Sequence, residues 1–294
     1  MKTNHMNQFF VHLILILLAA ACMFPFLLLI ISSLTQEQSI VRDGYSLFPK
    51  EWSFEAYTYL WNQSSSLARA YGITVMITIV GTFAGLLISA LLAYPLSRGD
   101  MPYRGLFSFL VFFTLLFNGG LVPTYLVFTE VFEMKNTLMA LIIPGLLTNG
   151  FFILLIRSFF STSIPVPIIE SAYMDGATEF KIFYRIVLPL SLPILATIGL
   201  MLTIGYWNDW FNGLIYVTEP DLFSIQNLLN RMLSNIQFLQ QTNIGGNNST
   251  AAASLPMNSV RMAMAVVGIL PILCVYPFFQ KYFVKGLTIG AVKG

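Results

Sequence analysis

The sequence predicts an all-α polytopic membrane protein with six transmembrane helices, and three observations predict it. Charged residues make up 10% of the 294 and apolar residues 56%. An ordinary soluble domain carries roughly 25% charged residues, so this chain has too few charges to coat a soluble surface. Uncharged intervals long enough to cross a bilayer recur along the chain, and basic residues are shared unequally between the two sets of loops that six crossings create. The net charge of +2 offers no footprint for nucleic acid. Both cysteines, Cys22 and Cys274, lie in apolar runs, so neither a disulfide framework nor a metal cluster is implied.

A helix needs about 20 apolar residues to cross roughly 30 Å of hydrocarbon. The intervals between charges give approximate spans at 9–34, 71–96, 105–128, 137–156, 187–210 and 260–280 within a single domain over 1–294. A seventh uncharged stretch, 232–260, is dense in Asn, Gln, Ser, Thr and Gly and is assigned to a loop. Near the N-terminus, Leu18-Ala19-Ala20-Ala21-Cys22 is similar to a lipoprotein cleavage site. The apolar run nevertheless continues through Ile31, so the expectation is an uncleaved first span.

Orientation follows from lysine and arginine. With the N-terminus inside, nine basic residues fall on the inner side (Lys2, Arg98, Arg104, Arg157, Lys181, Arg185, Lys281, Lys285, Lys293). Six fall outside (Arg42, Lys50, Arg69, Lys135, Arg231, Arg261). Both termini are therefore expected in the cytoplasm. Segments 35–70 and 219–258 are placed outside, and segment 157–186 and the tail 281–294 inside.

The inner segment 157–186 is too amphipathic for a passive linker. Ile168 to Met174 predicts a short helix, and Asp175-Gly176 a turn in which glycine accepts positive φ. Thr178 is placed to cap a second helix whose first turn holds Glu179 and whose other end holds Arg185. Pro189 redirects the chain as the fifth span begins. The product is a helix–turn–helix at the inner face.

Within it, Glu170-Ser171-Ala172, three residues, Gly176, nine residues, then Ile186, Val187, Leu188 and Pro189 resembles the EAA motif of permease subunits of binding-protein-dependent ABC importers. Ser171 departs from that motif by replacing one small residue with another. Further likeness to the carbohydrate-uptake branch, the maltose-permease-like subunits associated with complex oligosaccharides, lies in Gly44 to Ser53, Tyr206-Trp207-Asn208-Asp209-Trp210 and Tyr282 to Gly286. The resemblance implies the type I importer permease fold, with a cytoplasmic coupling helix between spans 4 and 5. It also implies a heterodimer with a second homologous permease, two ATPase subunits beneath, an extracellular solute-binding protein above and a carbohydrate substrate. No cofactor is expected in this chain; ATP and magnesium belong to the partner ATPase. Glu170, Ser171, Ala172, Asp175, Gly176, Ile186, Leu188 and Pro189 are the expected coupling residues, with Ala172 and Gly176 permitting close approach and Glu170 offering a carboxylate. The resemblance places the chain in a bacterial cell membrane. Related tails reach between the ATPase subunits; 285–294, with three glycines and no helical stripe, fits that or a frayed end. Loop 219–258 is similar to an outer loop that meets the docked binding protein.

Counting 21 residues from Leu188 at 1.5 Å each places Asp209 about 31 Å away, near the outer boundary. Trp207, Asn208, Asp209 and Trp210 are candidates for the translocation path or for an interfacial anchor. Aromatic faces with amide and carboxylate groups suit sugar recognition as well as they suit the interface, so both readings stand. His12, Gly81 and Gly85 are read as packing features, since small residues four apart let helices approach.

An ion-coupled secondary transporter is the alternative, but such carriers place ionisable groups at mid-membrane, and this chain has none there. An intramembrane enzyme lacks support: no H-E-x-x-H and no nucleophile elbow occur. No Gly-Lys dipeptide occurs, so there is no P-loop and ATP hydrolysis is expected in a partner.

Overall fold

A computed structural model of the chain describes residues 5–145, 147, 149–242 and 257–291. Among them the regular structure is helical, and the sole extended pairing is an isolated antiparallel bridge between Thr35 and Trp52. The helices are α1 (His5–Ser33), α2 (Glu37–Asp43), α3 (Glu55–Asn62), α4 (Ser64–Ser97), α5 (Arg104–Leu116), α6 (Leu121–Val131) and α7 (Met139–Ile142). They continue as α8 (Gly150–Ser163), α9 (Val166–Met174), α10 (Glu179–Leu190), α11 (Leu192–Trp207), α12 (Phe211–Tyr216), α13 (Ile225–Thr242) and α14 (Met257–Ala291).

The protein is an all-α polytopic membrane protein. Gln8–Ser33, Ser64–Ser97 and Met257–Cys274 are each long and apolar enough to cross a bilayer. The total rises to six if the bent pairs α5–α6, α8–α9 and α10–α11 each count as one span, with bends of 113°, 78° and 80°. Side chains on α1 from Gln8 to Leu27 are exposed, an apolar band such as hydrocarbon would cover.

The bends are the main departure from the straight spans expected. Between α5 and α6, Gly120 adopts φ +87° and its N–H donates to Asn118 Oδ1 (2.9 Å). The expected span 137–156 is not one helix. It breaks after Ile143 at Pro144-Gly145, with Gly145 at φ +74°, and α8 begins only at Gly150. There Asn149 caps it, accepting from the N–H groups of Phe151 and Phe152. The fifth span, expected over 187–210, breaks at Ser191 rather than at Pro189. A π-turn over Phe183–Val187 precedes Pro189 and accommodates its missing N–H. Pro193 then sits in the first turn of α11, where no N–H is needed. Asp209 lies past the end of a bent span, so the straight-helix distance does not apply to it.

Stretch 232–260, assigned to a loop, is helical as far as Thr242. Ile225, Leu228, Leu229, Met232 and Ile236 recur at helical spacing, and Leu229 and Met232 are buried; residues 243–256 lie outside the described residues. The tail, expected to lack a helical stripe, is helical: α14 continues to Ala291; residues 292–294 also lie outside the described residues.

The chain divides into two compact units, 1–67 with 229–271 and 68–228 with 272–294. In the first, Ser53 and Gln36 pair through their N–H groups with Leu34 and Glu51 carbonyls. The Glu37 carboxylate accepts from the backbone N–H and side chains of both Asn258 and Ser259, at 2.8–3.0 Å. The second has an apolar core that includes Ala90, Leu96, Ile156, Ile169, Ala172, Ile182, Val187, Ile198 and Tyr206.

Candidate functional site

The inner hairpin is built by two prolines, one glycine and an apolar stripe. Pro165 opens α9 and Pro167 occupies its first turn, where proline is pre-organised for a helix. Ile169 and Ala172 are buried in the core, while Glu170, Ser171, Tyr173 and Met174 face outward. The helix closes with a Schellman motif: Ala177 N–H donates to Ala172 C=O (3.0 Å) and Gly176 N–H to Tyr173 C=O (2.9 Å). Gly176 stands at φ +73° with open space where a side chain would point. Its requirement is therefore conformational, since non-glycine residues resist that backbone region.

The expected coupling residues separate into two groups. Glu170 and Asp175 are exposed, and Ser171 is exposed with its hydroxyl turned back to Ile168 C=O (3.0 Å). Ala172, by contrast, is 8% exposed and faces the protein's own core. Its small size serves inward packing, which corrects its expected place on an outer contact face. Ile186 and Leu188 pack against the same core, and Pro189 is exposed on α10. Thr178 is the residue before α10, but its hydroxyl makes no capping bond.

Sequence reasoning missed the apolar part of the hairpin's outer face: Met174 is 88% exposed and Phe180 73%. It also missed what holds the hairpin. Tyr94 Oη donates to Glu179 Oε2 (2.6 Å), and Arg98 Nη2 donates to Tyr173 Oη (3.3 Å). Nearby, Arg104 Nε and Arg157 Nε both donate to Leu96 C=O (3.0 and 3.1 Å), satisfying a carbonyl that the end of α4 leaves unpaired. In the sequence alone these arginines count only as topology charges. Arg98 and Arg104 stand at helix ends, the signal available for them, whereas Arg157 lies in the middle of α8.

The run Trp207 to Trp210 does not act as a unit. Trp207 is buried and lies 6.3 Å from Tyr71, ring to ring. Asn208 is exposed and its amide donates to Ile204 C=O (3.0 Å). Asp209 Oδ1 caps α12, accepting from Phe211 and Asn212 N–H (both 3.1 Å). Trp210 is exposed and meets Phe211 edge to face. Asp209 Oδ2 is buried with no hydrogen-bond partner among the described residues. Asp209 lines a cleft of ≈ 420 Å³ with Asn118, Thr124, Phe211, Asn212 and Tyr216. Asn212, which the sequence reading passed over, is buried and donates to Pro144 C=O (2.9 Å).

Broken apolar spans beside a cleft that holds the Asp209 carboxylate, with a capped hairpin between two of them, fit the membrane component of a transport system. Residues 78–289 match the family of binding-protein-dependent transport system inner membrane components, and the chain belongs to that family. It is 38% identical over 275 residues to protein LplC of Bacillus subtilis, covering 94% of this chain and 90% of that one. To the polygalacturonan/rhamnogalacturonan transport system permease protein YtcP of Bacillus subtilis it is 34% identical, covering 99% of each. Among solved structures it superposes on a chain of a bacterial ABC transporter involved in the import of the acidic polysaccharide alginate. The TM-score is 0.80 at 26% identity, covering 96% of this chain and 98% of the other. The chain is thus a bacterial importer permease, and its family works with a further permease, an ATPase and a binding protein.

Proposed function

We propose that this permease pairs with a second homologous permease to form the translocation path for a sugar or oligosaccharide. An extracellular binding protein delivers the solute and two ATPase subunits drive the cycle, holding the ATP and magnesium that this chain does not bind. Carbohydrate is favoured because relatives similar over nearly the whole chain include YtcP and the trehalose/maltose transport system permease protein MalG of Thermococcus litoralis. Both termini lie in the cytoplasm, and segment 219–258, which includes α13, faces the binding protein.

The observation that carries this reading is the hairpin at α9–α10. Its turn is fixed by Gly176 at positive φ, and it exposes Glu170 one helical turn from Met174 on α9, with Phe180 bare on α10. A carboxylate and bare apolar side chains on one hairpin suit a groove with an apolar floor and a cationic or N–H donor. A charge-assisted bond there contributes about 1.5–3 kcal/mol. Shifting a two-state transporter from 1:99 to 99:1 takes about 5.5 kcal/mol, so the apolar contacts must supply part of the difference. On the outer side, Asp209 Oδ2 is offered to substrate hydroxyls within the path, with Trp210 as its exposed aromatic neighbour.

Cross-linking tests the reading. In a background with Cys22 and Cys274 replaced by serine, Ser171→Cys in the intact complex is expected to yield an adduct with the ATPase through a short bifunctional reagent. An adduct with the binding protein instead would reject the assignment.

A further inference from the structure

The hairpin's two arms are held by one helix end. Tyr173 stands on α9 before the Asp175-Gly176 turn and Glu179 on α10 after it, and both are engaged from the end of α4 and the residue after it. Tyr94, 9% exposed, donates its hydroxyl to Glu179 Oε2 at 2.6 Å and packs its ring 5.2 Å from that of Phe183. A hydroxyl bonded to a carboxylate at that length is of the strong, charge-assisted kind. Arg98 sits just past α4 with its side chain 17% exposed. Its Nη2 donates to Tyr173 Oη (3.3 Å) and to Asp100 Oδ2 (3.2 Å) and lies 4.0 Å from Glu179 Oε1. Its guanidinium carbon stands 5.4 Å from the centre of the Tyr173 ring, within the range of a cation–π contact. Asp100 and Glu179 thus both lie against one guanidinium nitrogen, and that arginine covers an aromatic ring on the other arm.

We infer that Tyr94 and Arg98 are positioning residues that latch the hairpin to α4, so that motion imposed on the hairpin is carried into the second span. The inference rests on the reading that the hairpin docks on the ATPase. Apolar burial of Ile169, Ala172, Ile182 and Phe183 secures the hairpin against the core in a non-directional way. Directional bonds from Tyr94 and Arg98 fix its angle, because a hydrogen bond weakens steeply when bent. Without them the hairpin stays folded and turns independently of α4.

The test uses the purified importer complex, in the cysteine-free background, with spin labels at Lys181→Cys on the hairpin and Ile79→Cys on α4, both exposed. Distances are measured nucleotide-free and after trapping with ATP, magnesium and vanadate. With the latch intact, the 79–181 distance stays narrow and keeps the same mean in both states. In Tyr94→Phe, which removes one oxygen, and in Arg98→Gln, the distribution at least doubles in width and its mean differs between states. Arg98→Lys, which retains the charge beside Glu179 but not the flat group over Tyr173, falls between. Distributions in Tyr94→Phe and Arg98→Gln identical to the unsubstituted complex would overturn the latch. Loss of the Ser171→Cys adduct with the ATPase in otherwise unsubstituted complex would instead overturn the docking reading beneath it.

Discussion

The ring of Tyr206 occupies the space that a side chain at Gly81 would need. A Cβ added at residue 81 would fall inside the van der Waals envelope of the Tyr206 ring at Cζ. Tyr206 is fully buried on α11 and cannot swing away freely, because its hydroxyl donates to Ile142 C=O at 2.9 Å. The small residue in α4 is thus matched to one aromatic in the fifth span, and the span pair closes only with glycine there.

Gly81→Ala is therefore expected to destabilise the protein by about 1–3 kcal/mol, the usual cost of overpacking a filled core. Thermal unfolding of the detergent-purified complex checks this. Combining it with Tyr206→Leu, which vacates the ring, should recover part of the loss despite deleting a buried hydrogen bond.

Gly176→Ala should behave differently, because nothing lies within 4 Å of the added carbon. The cost is backbone strain of about 1–2 kcal/mol, felt in the Schellman turn rather than in the core. Gly176→Val should weaken ATPase co-purification more than Gly176→Asn, since asparagine tolerates positive φ. Equal recovery of ATPase with all three residues would show that the turn conformation has no bearing on docking.

Glu37 accepts four distinct donors at the start of α14. Glu37→Ala leaves those groups without their acceptor and is expected to cost about 1.5–3 kcal/mol, the range for bonds to a charged group. Hydrogen exchange at Asn258 and Ser259 should rise in the variant while exchange in α9 is unchanged.

Asp209 has two separable oxygens. Asp209→Asn keeps an acceptor for the Phe211 and Asn212 N–H groups, whereas Asp209→Ala removes the cap at a cost of about 1 kcal/mol. If Oδ2 serves the translocation path, Asp209→Asn should lower solute uptake by reconstituted importer while leaving the melting temperature near that of the unsubstituted protein. Uptake that tracks stability across both variants would reduce Asp209 to a cap.

Much of this architecture is legible in the chain because charge spacing marks where hydrocarbon can lie, and the Glu170–Gly176 spacing marks a short helix ended by a positive-φ glycine. Most of the breaks were not. Gly119-Gly120 and Pro144-Gly145 sit inside uncharged runs, where a window of hydropathy counts them as span and their backbone geometry goes unweighed; in the fifth span Pro189 signals a break, but the chain bends at Ser191, just ahead of Pro193. α13 was hidden for the opposite reason: glutamine and asparagine on its polar face outweighed the apolar spacing of Ile225, Leu229 and Met232. Ala172 was misplaced because smallness suits either a partner's surface or the chain's own core. Only the facing of Ile169 and Ala172 together decides between them. The grip of Tyr94 and Arg98 joins residues about 80 positions apart, and local pattern carries no trace of it.

Docking of the hairpin on an ATPase requires residue 170 to lie on the inner side of the bilayer. Glu170→Cys, with Cys22 and Cys274 replaced by serine, can be labelled with a membrane-impermeant maleimide in intact and in opened cells. Residue 170 is expected to escape labelling in intact cells, to label once the inner face is opened, and to be protected when the ATPase is bound. Labelling of intact cells would contradict that docking.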